Sequence, residues 1–333
     1  MLTAADFRPP RWLRNAHLQT VLGSSGMRQW MGEHQLAATG AITTAHLLDG
    51  GNGVRLQGLH SAMPGVEGQG MAILLHGWEG SADSGYMRLT AASLLEKGFE
   101  VFRLNFRDHG GTHHLNSGLF HSNRIDEVVH ATADIARRFP LRPLTVGGYS
   151  LGGNFALRLA LRAPTAELAI TQVAVICPLL DPARTMDAME TGFPAYMRHF
   201  EGKWRRSLQR KRELFPQQYD FDDRVLGLRM RPLTRWMVER STDYDSLESY
   251  FDGYSLAGDR LARLEVPASI LMAADDPVIP VEDFASASLS PCVDLQISPW
   301  GGHCGFLENG RLQGFGEQWL AQRLAACADT MAD

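Results

Sequence analysis

The chain has 333 residues, a formal net charge of −5, 44% hydrophobic residues and 21% charged residues. This length allows one large domain or two small ones, and the composition is typical of a globular protein with a full apolar core. The acidic balance argues against nucleic acid as the main partner.

Cysteine usage and the absence of long apolar runs indicate the compartment. None of the cysteines has the spacing of a metal site or of a C-x-x-C redox pair, and they stand at Cys177, Cys292, Cys304 and Cys327. Sparse cysteines in a chain of this length indicate free thiols in a reducing compartment. The first residues lack the pattern of a signal peptide, and no stretch approaches the ~20 apolar residues of a membrane helix. We therefore expect a cytoplasmic protein with no integral membrane segment.

The first segment, 7–20, is rich in Arg, Trp and His. Pro9 and Pro10 prevent a helix from running through them, and a short helix can follow them. Terminal segments are ordered only when they are tied down, so we expect an N-terminal arm that packs on the main domain.

Strand patterns and helix patterns alternate after this arm. A hairpin is predicted at 45–49 and 54–60, and the apolar run 70–75 fits a strand buried on both faces. Further strands are predicted at 99–106, 144–146, 171–177, 268–274 and 293–297. Helices are predicted near 87–95, 124–138, 154–160 and 315–324. This alternation predicts an α/β fold, with a mostly parallel sheet covered by helices on both faces.

The composition changes between about 182 and 262. Positions 201–240 hold eleven Lys or Arg and six Asp or Glu, a local balance of +5, and apolar and aromatic residues interleave with these charges. We interpret the segment as a mainly helical insertion, so that the chain divides into 1–181, 182–262 and 263–333. The charges alone favour a solvated helical face. The functional alternative is a lid whose inner face binds an apolar acyl chain, and nucleic-acid binding is less favoured than either.

A short glycine-rich motif, Gly148-x-Ser150-x-Gly152, lies between a predicted strand and a predicted helix. This context is typical of a nucleophile elbow, in which the serine stands on a sharp turn and large neighbouring side chains would clash. The start of the following helix supplies backbone N–H groups for an oxyanion. Ser150 is therefore the candidate nucleophile.

A serine nucleophile needs a base and an orienting carboxylate, and in this arrangement they follow it in the order acid, then histidine. Asp275 and Asp276 end one predicted strand, and His303 follows the last one. We favour Asp276, since Asp275 can instead cap the turn through its side chain. All of these positions lie past the carboxyl ends of strands, where open α/β sheets build their sites.

An oxyanion hole needs two backbone donors. The N–H of Leu151 directly follows the candidate nucleophile, and the loop His76-Gly77-Trp78 follows the first buried strand. This loop has the position of the second donor, which we assign to the N–H of Trp78.

Two weaker patterns favour structural roles. His121 and Asp126 form an H-x-x-x-x-D spacing, which is associated with acyltransferases but here precedes a helix. Ser122 or Asn123 can cap that helix, with Asp126 near its N-terminal dipole.

The histidines at 109, 113, 114 and 121 lack a carboxylate or cysteine set at zinc-like spacing. We interpret them as part of a solvated loop near the mouth of the site, and we expect neither a metal nor a cofactor.

Taken together, these motifs resemble the YheT-like branch of the α/β-hydrolase superfamily, which is related to the animal abhydrolase-domain lipid hydrolases. The resemblance covers nearly the whole chain and rests on the segments 9–20, 75–81, 105–107, 148–154, 274–277 and 301–306. It implies an α/β-hydrolase fold and a catalytic serine, acid and histidine at Ser150, Asp276 and His303. One departure is Asp108-His109 after the segment 105–107, where a small residue such as glycine is expected, and the shape of the pocket rim depends on it.

The motifs thus predict a serine hydrolase that works through an acyl-enzyme, and the resemblance implies a carboxylic-ester hydrolase that acts on a small-molecule acyl or lipid ester. Two alternatives stay open. An acyltransferase would use the same acyl-enzyme and pass the acyl group to an alcohol or thiol, and a non-catalytic binding module would keep the fold alone.

Overall fold

A computed structural model describes residues 1–141 and 143–329, and the side chain of Cys327 lies outside the described part. Within these residues the strands are β1 Ile42–Asp49, β2 Arg55–Ala62, β3 Met71–Leu75, β4 Glu100–Asn105, β5 Leu144–Tyr149, β6 Ile170–Ile176, β7 Ala268–Ala273 and β8 Val293–Ser298.

These strands form one sheet in the order β1-β2-β4-β3-β5-β6-β7-β8. The pairs β1–β2 and β2–β4 are antiparallel, and every later pair is parallel. Every residue of β3, β5 and β7 is buried, because helices cover both faces of a parallel sheet. The predicted hairpin and the mostly parallel sheet are both confirmed.

The helices alternate with the strands and continue past the last one. In the described residues they are α1 Ala16–Gly23, α2 Gly26–Ala38, α3 Gly85–Leu95, α4 Ile125–Arg138, α5 Leu151–Arg162, α6 Pro182–Thr191, α7 Pro194–Leu214, α8 Asp223–Leu226, α9 Met230–Ser241, α10 Leu247–Tyr254, α11 Glu282–Ser286 and α12 Phe315–Asp329. The sheet order reverses at β3, so right-handed crossovers put α3 and α4 on opposite faces. Among the described helices, none combines the length and the apolar character that crossing a membrane requires.

The N-terminal arm packs on the main domain, as expected, but it is longer and more helical than predicted. Asn15 caps α1 by accepting from the N–H of Leu18, and Ser25 caps α2 by accepting from the N–H of Arg28. Buried Arg28 also forms an ion pair with Glu317 of α12. The pattern of residues 26–38 did not predict α2, whose buried anchor is a charge pair formed with the far end of the chain.

The segment between β6 and β7 is helical, as the composition predicted. It holds the five helices α6 to α10, and buried aromatic and methionine side chains such as Met197, Trp204 and Met237 face the core. Its charged residues lie mostly on the outside, in agreement with a solvated face.

A buried ion pair fastens α7 to the loop that follows β4. The Nζ atom of Lys211, whose side chain is fully buried, lies 2.5 Å from Oδ1 of Asp108. Lys211 also donates to the carbonyl oxygens of His113 and Asn116, and the N–H of Phe120 donates to Asp108 Oδ2 at 2.9 Å. Burial raises the pKa of Asp108 and lowers that of Lys211, so each charge depends on the other. The departure at Asp108 is thus an anchor for the helical segment.

We predict that Lys211→Met destabilises the protein by about 3–5 kcal/mol, because it leaves the Asp108 carboxylate buried without a cation. The control is Arg210→Met on the same helix, which removes a surface cation paired with Glu213 at 3.4 Å and costs at most about 1 kcal/mol. Urea unfolding measures both. Equal stabilities of the two variants would contradict the anchoring role.

Candidate active site

Ser150 stands on a sharp turn between β5 and α5, with φ 53° and ψ −120°. A Cβ added to Gly148 would lie 2.4 Å from the carbonyl oxygen of Gly152, and one added to Gly152 would lie 2.2 Å from that of Leu75. Both clashes are with backbone atoms, which cannot move aside as side chains do. Glycine at these two positions is therefore what permits the turn.

The side chain of Ser150 meets His303, which lies in the loop after β8. The Oγ atom of Ser150 is 3.0 Å from Nε2 of His303, and it can donate its proton to that nitrogen. The loop is held from the N-terminal arm, since the N–H of His303 donates to Oγ1 of Thr20 at 2.9 Å. The structure thus brings together two side chains that are 153 positions apart in the chain.

Asp276 completes the chain of hydrogen bonds from the other side of the imidazole. His303 Nδ1 donates to Oδ2 of Asp276 at 2.9 Å, and the carboxylate side chain is fully buried. Its other oxygen, Oδ1, accepts from the N–H groups of Val278 and Ile279 at 2.8 and 3.0 Å. These bonds fix the carboxylate and leave Oδ2 for the histidine.

The expected turn-capping role of Asp275 is wrong. Asp276 caps the turn with one oxygen and meets His303 with the other, whereas Oδ1 of Asp275 accepts from the N–H of Gly302 at 2.8 Å. Asp275 therefore holds the histidine loop against the end of β7. Its own pKa is raised, because burial disfavours the charged carboxylate.

The pKa of His303 results from opposing effects. Burial lowers it, but the Asp276 carboxylate and the Cys304 side chain favour the charged imidazolium, and the net result is a pKa well above the usual 6.5. With Asp276 as acceptor, the proton of the neutral ring resides on Nδ1, and Nε2 is free to accept from Ser150.

The predicted oxyanion loop lies directly beside Ser150. A Cβ on Gly77 would be only 3.4 Å from that of Ser150, and the N–H of Gly77 is already used in a 3.0 Å bond to the hydroxyl of Tyr86. Among the hydrogen bonds recorded within 1–141 and 143–329, none is donated by the N–H of Trp78 or of Leu151. Both predicted donors are therefore free for a ligand.

Buried His76 stiffens this loop. Its Nδ1 donates to the carbonyl oxygen of Gly77 at 2.8 Å, and its Nε2 accepts from the N–H of Phe106 at 3.3 Å. Burial lowers the pKa of His76 to about 4, so the ring stays neutral and keeps both bonds at ordinary pH.

Two cavities meet at Ser150. One lies under the helical segment, with a lining that is mostly aromatic and aliphatic: Trp78, Phe200, Trp204, Met186, Met189, Met230 and Met237. The other is larger and is also lined by polar groups from the N-terminal arm, α7 and the loop after β8: Thr20, Tyr196, His199, Lys203 and His303. The site therefore offers an apolar compartment and a more polar one on the two sides of the serine.

The weaker patterns do not form sites. Exposed Asp126 pairs with Arg162 at 3.1 Å and not with His121, whose partly buried ring lines the apolar cavity and has a pKa lowered to about 3 by burial. Ser122 and Asn123 do not cap α4 through their side chains; the N–H of Ser122 and the amide of Asn123 donate to Tyr250.

The solvated interpretation of the histidine loop is wrong for His109. Its ring is buried, and its Nε2 accepts from the N–H of Glu79 at 3.2 Å. Within the described residues, the one cluster with metal-ligand potential is elsewhere, at Cys177, His303 and Cys304, and it contains none of these loop histidines.

Sequence reasoning missed the support that the N-terminal arm gives to the histidine loop. Besides Thr20, fully buried Gln19 clamps this loop: its Oε1 accepts from the N–H of Leu307 at 2.6 Å, and its Nε2 donates to the carbonyl oxygens of Leu307 and Leu13. Two sequence signals pointed to this arm: the unusual composition of residues 9–20, and the contribution of this segment to the family resemblance.

Comparison with known proteins gives consistent results. The family described as alpha/beta hydrolase fold matches residues 73–310. The chain is 27% identical to the Putative esterase YheT of Escherichia coli K12 over 97% of this chain and 92% of that protein. It is 23% identical to the mouse Phospholipase ABHD3 over 71% of this chain and 58% of that protein. The solved structure of a hyperthermophilic esterase from Pyrobaculum calidifontis superposes with a TM-score of 0.60 at 16% identity, covering 98% of this chain and 99% of the other.

We predict that Gly152→Ala destabilises the protein by about 1–3 kcal/mol or more and abolishes activity, because the added Cβ meets fixed carbonyl oxygens. Gly26→Ala is the matched control, since Gly26 opens α2 and a Cβ there meets nothing within 4 Å. It should be neutral or stabilise by up to ~1 kcal/mol. Thermal unfolding and esterase assays distinguish the two, and an active Gly152→Ala would refute the elbow geometry.

We predict that kcat/KM rises with pH through a midpoint above 6.5, because only neutral His303 can accept the proton of Ser150 and its pKa is raised. Cys304→Ala should move this midpoint to lower pH, since Cys304 contributes to raising the pKa of His303. Cys292→Ala, at an exposed position, is the control and should leave it unchanged. A wild-type midpoint below 6.5 would contradict this account.

Proposed function

The chain belongs to the α/β-hydrolase family and is a hydrolase of the esterase type, and we propose that it hydrolyses apolar acyl esters with Ser150 as nucleophile. The observation that carries the proposal is the continuous set of hydrogen bonds from Ser150 through His303 to Asp276, at 3.0 and 2.9 Å, beside an apolar cavity.

The first half of the reaction forms the acyl-enzyme. Ser150 Oγ attacks the ester carbonyl carbon while its proton passes to His303 Nε2, and the carbonyl oxygen becomes an oxyanion. The tetrahedral intermediate then collapses, the bond to the alkoxy oxygen breaks, and the imidazolium returns the proton to the leaving alcohol. In the second half, water replaces the serine as nucleophile and releases the carboxylic acid by the same proton transfers.

Asp276 orients the base and stabilises its charged form. Because its Oδ2 accepts from Nδ1, the neutral ring presents an unprotonated Nε2 to Ser150. When the ring takes up a second proton, the nearby buried carboxylate stabilises the imidazolium that forms.

The oxyanion is stabilised by the N–H groups of Leu151 and Trp78 in this proposal. Leu151 is the first residue of α5, so its N–H also lies at the positive end of the helix dipole. Preorganised donors of this kind each contribute about 10²- to 10³-fold to kcat in known hydrolases.

The cavity under the helical segment is the proposed acyl site. We propose that residues 182–262 act as a lid that supplies its apolar lining, and that the polar cavity on the other side of Ser150 receives the alcohol. The indole ring of Trp78 in the oxyanion loop packs on Phe200 and Trp204 of α7, with ring centroids 5.4 and 5.7 Å apart. The lid and the oxyanion loop are thus in direct contact.

Two further observations support an acyl substrate and its setting. The relatives include an Escherichia coli protein named a putative esterase and a mouse protein named a phospholipase, which supports ester or lipid substrates. The free thiols of Cys177, Cys292 and Cys304 support a reducing, cytoplasmic setting.

The experiment that tests this proposal compares wild type with Ser150→Ala on p-nitrophenyl esters of increasing acyl length. Removing Oγ should reduce kcat/KM by at least about 10⁴-fold and leave the melting temperature close to that of wild type. Wild-type kcat/KM should rise about fourfold for each added methylene until the acyl cavity is filled, because burying one methylene contributes ~0.8 kcal/mol.

The acyl site itself is tested with Met237→Trp, which puts a larger side chain into the apolar cavity. It should selectively weaken hydrolysis of long-chain esters. Met27→Trp makes the same exchange at an exposed position on α2 and serves as the control. A full activity of Ser150→Ala, or an unchanged chain-length profile of Met237→Trp, would overturn the corresponding part of the proposal.

A further inference from the structure

Two thiols lie beside the imidazole ring of His303. The Sγ atoms of Cys177 and Cys304 and a ring nitrogen of His303 all lie within 4.8 Å of one another. The distance from Cys304 Sγ to His303 Nε2 is 4.0 Å. None of the steps of ester hydrolysis described above uses either thiol.

The fold brings these groups together from two strand ends. Cys177 directly follows β6, and Cys304 directly follows His303 in the loop after β8. Their thiols reach across: Cys177 Sγ contacts the carbonyl oxygen of Gly302 at 3.8 Å, and Cys304 Sγ contacts that of Ile176 at 3.6 Å. Both cysteines have positive φ, 44° and 58°, which is uncommon for residues other than glycine.

Two thiolates and one imidazole are a ligand set that Zn²⁺ prefers. Tetrahedral bonds of ~2.3 Å to sulfur and ~2.0 Å to nitrogen require ligand atoms about 3.5–3.8 Å apart, so shifts of about 1 Å or less complete the site. His303 is also already oriented for binding a metal ion. Asp276 holds its Nδ1–H, the carboxylate–histidine arrangement that fixes the tautomer and orientation of zinc-binding histidines.

We propose that Cys177, Cys304 and His303 Nε2 bind Zn²⁺, and that the bound metal ion inhibits the hydrolase. The ion reaches the site through the polar cavity, which is lined by both His303 and Cys304. Water or the Oγ of Ser150 fills the fourth position. Binding forms two Zn–S bonds and one Zn–N bond, and each thiol that is protonated releases its proton to solvent.

Inhibition follows from competition for one lone pair. His303 Nε2 has a single lone pair, which accepts the proton of Ser150 in the reaction and would be donated to the metal ion in the complex. A metal-bound imidazole cannot serve as the base. The inhibitory part of the proposal therefore rests on the proposed function, whereas the binding part does not.

Binding is tested first in Ser150→Ala, where activity plays no part. Zn²⁺ is titrated under a phosphine reductant against a chromophoric chelator, and Cd²⁺ is titrated while thiolate-to-metal charge-transfer absorption is recorded. We expect one ion per chain. Adding Cys177→Ala or Cys304→Ala should abolish the Cd²⁺–thiolate signal of a two-thiolate site. Each should also weaken the affinity for Zn²⁺ by more than about 10–100-fold, which is the loss that removing an outer-shell partner causes.

Cys292→Ala is the matched control, because Cys292 is exposed and precedes β8 at the opposite end of that strand from His303. It should bind like the parent, and melting temperatures verify that each variant is folded. Equal Zn²⁺ affinity in the Cys177, Cys304 and Cys292 variants, or no stoichiometric binding, would overturn the site.

Inhibition is then measured in the catalytically intact chain, with each variant compared with its own metal-free rate. Zn²⁺ should inhibit wild type and Cys292→Ala reversibly, with recovery on adding a chelator, and should inhibit Cys177→Ala and Cys304→Ala at least about tenfold less strongly. Metal binding without any esterase activity would contradict the proposed function and leave the site intact. Esterase activity that bound Zn²⁺ does not reduce would overturn the inhibitory role.

Discussion

The backbone at Ser150 can pass from strand to helix in a single residue because no side chain stands at Gly148 or Gly152. With φ at 53°, the turn leaves the hydroxyl at the end of the sheet and starts α5 immediately behind it. Leu151, the first residue of α5, therefore directly follows the serine. The strain stored in a positive φ persists because packing on both faces of β5 over-determines the conformation.

The remaining groups come to this turn because parallel strands end at one edge of the sheet. Trp78, Asp276 and His303 each follow a different strand, and the strand order brings those ends together around β5. Loops alone do not hold side chains in such positions, and here other segments of the chain fix the loops. Gln19 and Thr20 of the N-terminal arm hold the histidine loop by hydrogen bonds to its backbone. The buried Lys211–Asp108 pair fastens the helical segment over the apolar cavity.

The sequence was sufficient for the features that depend on local pattern. Alternating strand and helix patterns predicted the parallel sheet, and the positions of Ser150, Asp276 and His303 relative to strand ends led to three side chains that the structure brings within hydrogen-bonding distance.

The features that the sequence did not predict depend on contacts between distant segments. The helix α2 is anchored by Arg28 to Glu317, nearly the whole chain away. His109 is buried because it meets a loop 30 positions earlier. The proximity of Cys177 and Cys304 likewise follows from the pairing of strands and from no spacing in the sequence. The choice between the adjacent residues Asp275 and Asp276 was predicted only in part. Asp276 was favoured as the acid, but the turn-capping role given to Asp275 was not the one found.

The proposed mechanism depends on a covalent acyl-enzyme at Ser150. The most direct measurement is rapid quenching of wild type during turnover of a p-nitrophenyl ester, followed by intact-mass analysis and peptide mapping. We predict a burst of p-nitrophenol of up to one equivalent per chain, with the acyl mass on the peptide that contains Ser150. Turnover without a covalent adduct, or an adduct on another residue such as Cys304, would exclude this intermediate.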